Sequence, residues 1–150
     1  MRRLGWFTVA ALFIGCGSAA PVASEGFPAD PLLSLNSNSR ELLVAVRTSP
    51  QPPTRGAQSA EYTITDASNG APVSGLSLSV VPWMPAMAHG TSVVPSIEEV
   101  SPGTYVITNL YFYMPGRWVL RTTLSGSTGD PGDMSQIAAS DYVEPSFQIP

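Results

Sequence analysis

The side chains best suited to chemistry are concentrated in one short segment, residues 83–90, with the sequence Trp-Met-Pro-Ala-Met-Ala-His-Gly. This segment carries His89, the only histidine of the chain, and two of the five methionines, Met84 and Met87. Thioether sulfur and imidazole nitrogen together suit a soft monovalent metal such as Cu(I). The segment therefore predicts a Cu(I) site.

A third methionine, Met114, stands in a second turn with the sequence Tyr-Met-Pro-Gly, which a β fold could bring alongside the first. Thioethers carry no proton to lose, so they remain ligands in acidic surroundings where thiolates would be protonated. The predicted metal ligands are Met84, Met87, His89 and Met114. Only His89 would weaken Cu(I) binding as the pH falls, because protonation removes its lone pair.

The same residues also have an explanation that needs no metal. Methionine fills irregular gaps in protein cores, and proline and glycine mark turns. The alternative function is a structural or assembly domain that presents the Trp83–His89 loop to a protein partner. Zinc is a weaker candidate than Cu(I), because it prefers thiolate, imidazole and carboxylate and would find one strong ligand here.

The first fifteen residues predict export from the cytoplasm. Arg2 and Arg3 precede an apolar run over residues 4–14, which is followed by small residues. The run is shorter than the roughly 20 residues that a membrane-spanning helix needs. Residues 1–15 are therefore predicted to be a secretory signal peptide.

Cys16 is the only cysteine, so it has no partner within the chain for a disulfide bond. With the three residues before it, Phe-Ile-Gly, it resembles the lipobox of bacterial lipoproteins, which implies cleavage before Cys16 and attachment of a diacylglycerol through its sulfur. The alternative is cleavage after Ala20, which would leave Pro21 immediately after the cut. The prediction is a lipid-anchored protein of the cell envelope, on the periplasmic side or in the outer membrane.

The charge balance and the lack of catalytic motifs narrow the function. Without residues 1–15 the chain has eleven acidic residues and five basic ones, and nucleic-acid binding calls for a basic surface. The sequence has no glycine-rich phosphate loop and no nucleophile elbow. No nucleic-acid partner and no enzymatic activity are predicted.

The distribution of apolar residues predicts a tether followed by one β domain. Residues 16–38, the lipidated cysteine and the Ser-, Ala-, Pro- and Asn-rich stretch after it, are predicted to be flexible. Residues 39–150 contain short apolar runs separated by turn residues, the pattern of an all-β, immunoglobulin-like antiparallel β-sandwich. Strands are predicted at 41–48, 60–65, 76–81, 103–110, 118–124 and 142–149, with shorter ones near 92–94 and 97–100.

Two turn signals predict how four of these strands pair. Asn69-Gly70 is a tight-turn signal and predicts a hairpin between strands 62–65 and 76–80. Pro115-Gly116 is a second turn pair and predicts that strands 104–110 and 118–124 are antiparallel neighbours. In the last of these strands, the alternation of side chains places four residues on the core face: Trp118, Leu120, Thr122 and Leu124.

The order of these motifs over about residues 39–125 resembles the YtkA-like domain family, which is related to FixH-like proteins. The resemblance depends chiefly on the Met-Pro-x-Met-x-His-Gly and Met-Pro-Gly-x-Trp elements. It implies an immunoglobulin-like sandwich, export to the envelope, and an association with copper handling or with assembly of copper-containing oxidases, which would be the partners. The family positions matched here are Met84, Pro85, Met87, His89, Gly90, Met114, Pro115, Gly116 and Trp118. The predicted function is Cu(I) buffering or delivery to envelope cuproenzymes.

Overall fold

Ten β-strands form two antiparallel sheets in the computed structural model, which describes residues 23–126 and 141–150. The predicted all-β class and antiparallel sandwich are confirmed. The predicted signal peptide, the lipidation of Cys16 and the alternative cleavage after Ala20 concern residues outside the described ranges.

The strands are numbered in chain order and divide equally between the two sheets. In spatial order, the first sheet contains β1 (Leu33–Asn36), β2 (Leu42–Ser49), β3 (Gly56–Asp66), β7 (Thr104–Phe112) and β6 (Ser96–Ser101). The second sheet contains β10 (Ser146–Ile149), β8 (Gly116–Ser125), β4 (Ser77–Met84) and β5 (His89–Gly90), and β9 (Asp141–Val143) also pairs with β8.

The principal predicted strands are confirmed, with shifted ends. The strand predicted at 76–81 extends to Met84, so the metal-site motif begins inside β4. The strand predicted at 142–149 is divided into β9 and β10, and Pro145 lies in the gap, where it can donate no ladder hydrogen bond. The short strand predicted near 97–100 is confirmed within β6, whereas the one near 92–94 does not form.

Both predicted strand pairings are wrong. β7 and β8 lie in different sheets, and so do β3 and β4. The Asn69-Gly70 turn does reverse the chain, because the Asp66 N–H donates to the Ala71 carbonyl at 2.8 Å. Beyond a single bridge between Thr65 and Pro72, however, the chain crosses to the second sheet. Turn chemistry predicts a reversal of direction but does not distinguish a hairpin from the crossovers between sheets that are typical of sandwiches.

The predicted tether ends earlier than residue 38. Leu33–Asn36 form β1, which pairs along its whole length with β2. Leu33 and Leu35 pack against the core, while Ser34 and Asn36 are exposed. Four alternating residues in a Ser- and Asn-rich stretch give too short a pattern to recognise as a strand.

The segment before β1 covers a buried ion pair on the first sheet. Arg47 and Glu61 are opposite each other in the β2–β3 ladder, with Nη1 and Oε1 3.2 Å apart. Their side chains are 4% and 0% exposed. The Ser24 N–H donates to the Glu61 carboxylate at 2.7 Å, and the Arg47 guanidinium donates to the Ala29 carbonyl. Residues 24–29 are therefore part of the folded structure.

The core lies between the sheets, and its centre includes a hydrogen bond that joins them. Tyr62 on β3 and Thr122 on β8 are both buried, and their hydroxyl oxygens are 3.2 Å apart. Burial raises the pKa of the Tyr62 hydroxyl, which stays protonated. On β8 the predicted core face is confirmed, because its four residues are buried; on the opposite face Arg121 and Thr123 are exposed, but Val119 is also buried.

Asp66→Asn is expected to lower stability at neutral pH but not in acid. The hydroxyl and N–H of Ser68 donate to the Asp66 carboxylate, and with the Asn69 N–H they lower its pKa below the ordinary value of 3.8. Because the folded pKa is lower than the unfolded one, the ionised carboxylate stabilises the native state above the unfolded pKa, and this contribution is lost as the pH falls through the folded pKa. Urea unfolding of both proteins at neutral and acidic pH tests this. An equal difference at both pH values would contradict it.

Candidate metal centre

The first turn of the candidate site is a tight reversal between β4 and β5. Met84 is the last residue of β4, Pro85–Met87 form one turn of 3₁₀ helix, and Ala88 has the left-handed φ of +51°. His89 then begins β5 and lies directly opposite Met84 in the antiparallel ladder. Opposite residues in such a ladder project to the same face of the sheet. The reversal therefore places the Met84 thioether and the His89 imidazole on one face.

The glycine that follows His89 is required by close packing. A Cβ on Gly90 would lie 2.8 Å from the carbonyl oxygen of Pro82, on the neighbouring strand. No side chain fits at that distance without movement of the backbone. Gly90 thus allows β5 to approach β4 closely enough to pair Met84 with His89.

The second turn contacts the first at the Met84 methyl group. Gly116 begins β8 with φ of +128°, and a Cβ built on it would be 2.6 Å from Cε of Met84. Met84 is only 6% exposed, so its side chain is enclosed there. Met114, two residues earlier, is partly buried and packs against the core. The structure thus brings the Met114-Pro115-Gly116 turn against Met84.

Trp118 connects the two turns. Its indole is completely buried, and its ring centroid is 6.4 Å from that of His89 in an edge-on arrangement. Its Nε1–H donates to the Met114 carbonyl at 3.0 Å. Phe112 packs on the same indole, with ring centroids 5.3 Å apart. The Trp118 indole therefore contacts both the His89 ring of the first turn and the Met114 backbone of the second.

The hydrogen bond of His89 determines which ring nitrogen is free. Nδ1 of His89 is 3.0 Å from the carbonyl oxygen of Gly90. A carbonyl oxygen only accepts, so this bond requires the proton on Nδ1 and leaves the Nε2 lone pair available. A backbone carbonyl that fixes the tautomer in this way is typical of metal-binding histidines. The sequence does not reveal the hydrogen-bond partner of Nδ1, and the structure shows that it is the Gly90 carbonyl.

Two residues of the motif differ from these three in their surroundings. Met87, on the 3₁₀ turn, is 56% exposed. Trp83 alternates with Met84 along β4 and so faces the other side of the sheet, where the Arg121 guanidinium lies 4.3 Å from the centroid of its ring. Three of the four predicted donors are therefore packed, and the fourth, Met87, is largely in solvent.

Two contributors to the site were assigned other roles from the sequence. Gly116 was assigned to a turn and Trp118 to the core, whereas Gly116 also makes room for the Met84 methyl group and Trp118 also contacts His89 and the Met114 backbone. The family motif contains both residues. The spacing of the motif indicates that both residues belong to one element, but it does not specify which side chains they contact.

Other features of the described residues lie away from this cluster. Within 23–126 and 141–150, no three His, Cys, Asp or Glu side chains are grouped so that they could hold a metal ion. No helix in the same ranges is long and apolar enough to cross a membrane. A surface cleft of about 420 Å³ is lined by Arg40–Leu42 and Asp66–Ser68 and contains none of the candidate donors.

Comparison with known families identifies the chain. The YtkA-like family matches residues 36–123, more than half of the sequence, including both turns and most of β8. The chain belongs to the YtkA-like family. The predicted resemblance is therefore confirmed for the family itself. No curated protein and no solved structure matches this YtkA-like chain.

Proposed function

We propose that this YtkA-like protein binds Cu(I) in the cell envelope and buffers it or delivers it to a copper-containing oxidase or another copper-handling protein. The observation that carries the proposal is the meeting of the two turns. Met84 lies opposite His89 in one ladder, and the Met84 methyl group contacts Gly116 of the turn that contains Met114. Met84, His89 and Met114, which span 30 positions in sequence, would thus offer thioether and imidazole donors at one edge of the core.

The chemistry of the donors favours Cu(I) over other metals. Met84, Met114 and Met87 offer soft sulfur, and His89 offers Nε2, the nitrogen left free by its bond to the Gly90 carbonyl. Zinc prefers thiolate, imidazole and carboxylate and would find only the His89 imidazole here, and calcium selects oxygen ligands. The bound ion would be the cargo of a binding module, and no enzymatic step is proposed.

The second candidate function is a partner-binding domain without a metal. It is favoured by the partial exposure of the Trp83–His89 loop, where Met87 is 56% exposed and Pro85, Ala86 and Ala88 are exposed. In that case the loop would contact a protein directly. Replacing its methionines would then affect partner binding only through the shape of the loop.

Loss of any packed donor is expected to weaken Cu(I) binding by at least about tenfold, because even outer-shell changes at metal sites cost 10- to 100-fold. The test is competition with a Cu(I) chelator for the purified protein and for Met84→Leu, Met114→Leu and His89→Ala. Leucine keeps the packing of methionine and removes the sulfur, so a loss of affinity reports ligation rather than unfolding.

The control is Val94→Ala, since Val94 is 81% exposed and has no sulfur or nitrogen to donate. This variant should bind one Cu(I) as tightly as the unchanged protein. If the unchanged protein binds no Cu(I) stoichiometrically, or if the leucine variants bind it equally well, the partner-binding function replaces the metal-binding one.

The lipid anchor is a separate part of the proposal. Cys16 follows Phe-Ile-Gly in the lipobox-like segment. Mass spectrometry of the membrane fraction should find a chain that begins at Cys16 and carries a diacylglycerol group. A chain that begins at Pro21 without lipid would refute the anchor and leave the metal proposal intact.

A further inference from the structure

We infer that Met87 is an oxidation-sensitive donor of the site, and that conversion of its thioether to a sulfoxide weakens Cu(I) binding while leaving the fold intact. The oxidation itself is independent of the proposed function, whereas its effect on Cu(I) rests on that function. The inference comes from the unequal surroundings of the methionines that the structure describes.

Exposure separates Met87 from the other two described methionines. Met87 is 56% exposed on the 3₁₀ turn, and no residue of that turn is buried. Met84 is 6% exposed and lies against Gly116, and Met114 packs on the core. Oxidants reach an exposed methionine sulfur more readily than a buried one. Met87 should therefore react before Met84 and Met114.

The reaction with hydrogen peroxide is a two-electron oxygen transfer. The Met87 sulfur attacks one peroxide oxygen and forms the S–O bond as the O–O bond breaks. The sulfur is oxidised by two electrons, and the second peroxide oxygen leaves as hydroxide, which takes the proton of the transferred oxygen and becomes water. No metal or further reactant is needed, and methionine sulfoxide reductases reverse the change.

The fold should tolerate the sulfoxide at Met87 but not at Met84. A sulfoxide is polar, and at an exposed position its oxygen is solvated by water. At Met84 the same group would be placed in the core between β4 and Gly116, without a hydrogen-bond partner. Oxidation of Met87 therefore changes the donor set and leaves the packed donors in position.

Oxidation of Met87 would lower the affinity for Cu(I) because the site would lose a soft donor. Sulfoxidation uses a sulfur lone pair and presents a hard oxygen, which Cu(I) disfavours. The site would then retain Met84, Met114 and His89. Peroxide would thus lower the affinity for Cu(I) by oxidising a single exposed sulfur, that of Met87.

The test treats the metal-free protein with limiting hydrogen peroxide and assigns sulfoxides to individual methionines by fragment-ion mass spectrometry. Met87 is expected to be oxidised several times faster than Met84 and Met114, with an unchanged thermal unfolding midpoint. The singly oxidised protein should bind Cu(I) at least about tenfold more weakly. The matched control is Met87→Leu, whose Cu(I) affinity should be low from the start and unaffected by the same treatment.

Equal or faster oxidation of Met84 or Met114 would overturn the inference. So would Cu(I) binding that is unchanged after oxidation of Met87, in a protein whose Met84→Leu variant has lost binding. If the untreated protein binds no Cu(I), the proposed function fails, and the order of oxidation still decides whether Met87 is the sensitive residue.

Discussion

Glu61→Ala is expected to lower the free energy of unfolding by about 3–5 kcal/mol, because it leaves the Arg47 guanidinium buried without its counter-ion. Arg47 is 4% exposed in its side chain and would retain the Ala29 carbonyl and the Thr63 hydroxyl as its hydrogen-bond acceptors. The substitution also removes the carboxylate that accepts from the Ser24 N–H, so residues 24–29 should lose a contact with the sheet.

Urea unfolding at neutral pH measures this change, and the chain offers a matched control. Arg121 and Glu144 form a second ion pair at 3.7 Å, but their side chains are 50% and 51% exposed. Glu144→Ala should cost less than about 1 kcal/mol, since water screens exposed pairs. The joint replacement Arg47→Met with Glu61→Leu should be less damaging than Glu61→Ala alone, because it leaves no unpaired charge. Equal stability losses for Glu61→Ala and Glu144→Ala would contradict this explanation.

Gly116→Ala is expected to weaken Cu(I) binding at least about tenfold and to destabilise the fold by about 1–3 kcal/mol. The added Cβ would lie 2.6 Å from Cε of Met84, so the end of this side chain must shift and its sulfur would leave the position it holds opposite His89. The φ of +128° adds backbone strain that any L side chain would suffer. Chelator competition and urea unfolding measure the two effects separately.

Gly56→Ala is the control that distinguishes the effect of backbone strain from the effect of displacing the Met84 thioether. Gly56 also has a positive φ, +102°, but a Cβ there meets no atom within 4 Å. This variant should be destabilised to a similar extent and should bind Cu(I) with unchanged affinity. If Gly56→Ala and Gly116→Ala bind Cu(I) equally well, Met84 is not held in place by Gly116.

The strands were predictable from sequence because a half-buried strand shows a period of two. The alternation in β8 gave the correct core face, from Trp118 to Leu124. Strand pairing was not predictable, since Pro115-Gly116 and Asn69-Gly70 each specify a local reversal and not the sheet to which the next strand belongs. The docking of residues 24–29 on the Arg47–Glu61 pair was also hidden, because it depends on contacts between residues far apart in sequence.

The candidate donors were identifiable by type, but their arrangement was not. The sequence places Met84 and Met87 on equal terms, whereas the structure buries the first and exposes the second. The difference arises because β4 continues to Met84 and ends there, which points one side chain into the sandwich and leaves the other on a turn. The free nitrogen of His89 likewise depends on the Gly90 carbonyl, which no sequence motif specifies.

The central claim is that thioether sulfur and the His89 imidazole bind one Cu(I) together. X-ray absorption at the copper edge of the Cu(I)-loaded protein tests it most directly, because sulfur and nitrogen neighbours scatter differently. The proposed site predicts sulfur ligands together with an imidazole signal that disappears in His89→Ala, and fewer sulfur ligands in Met84→Leu. Copper surrounded by oxygen and nitrogen alone, or a spectrum that neither substitution changes, would contradict it.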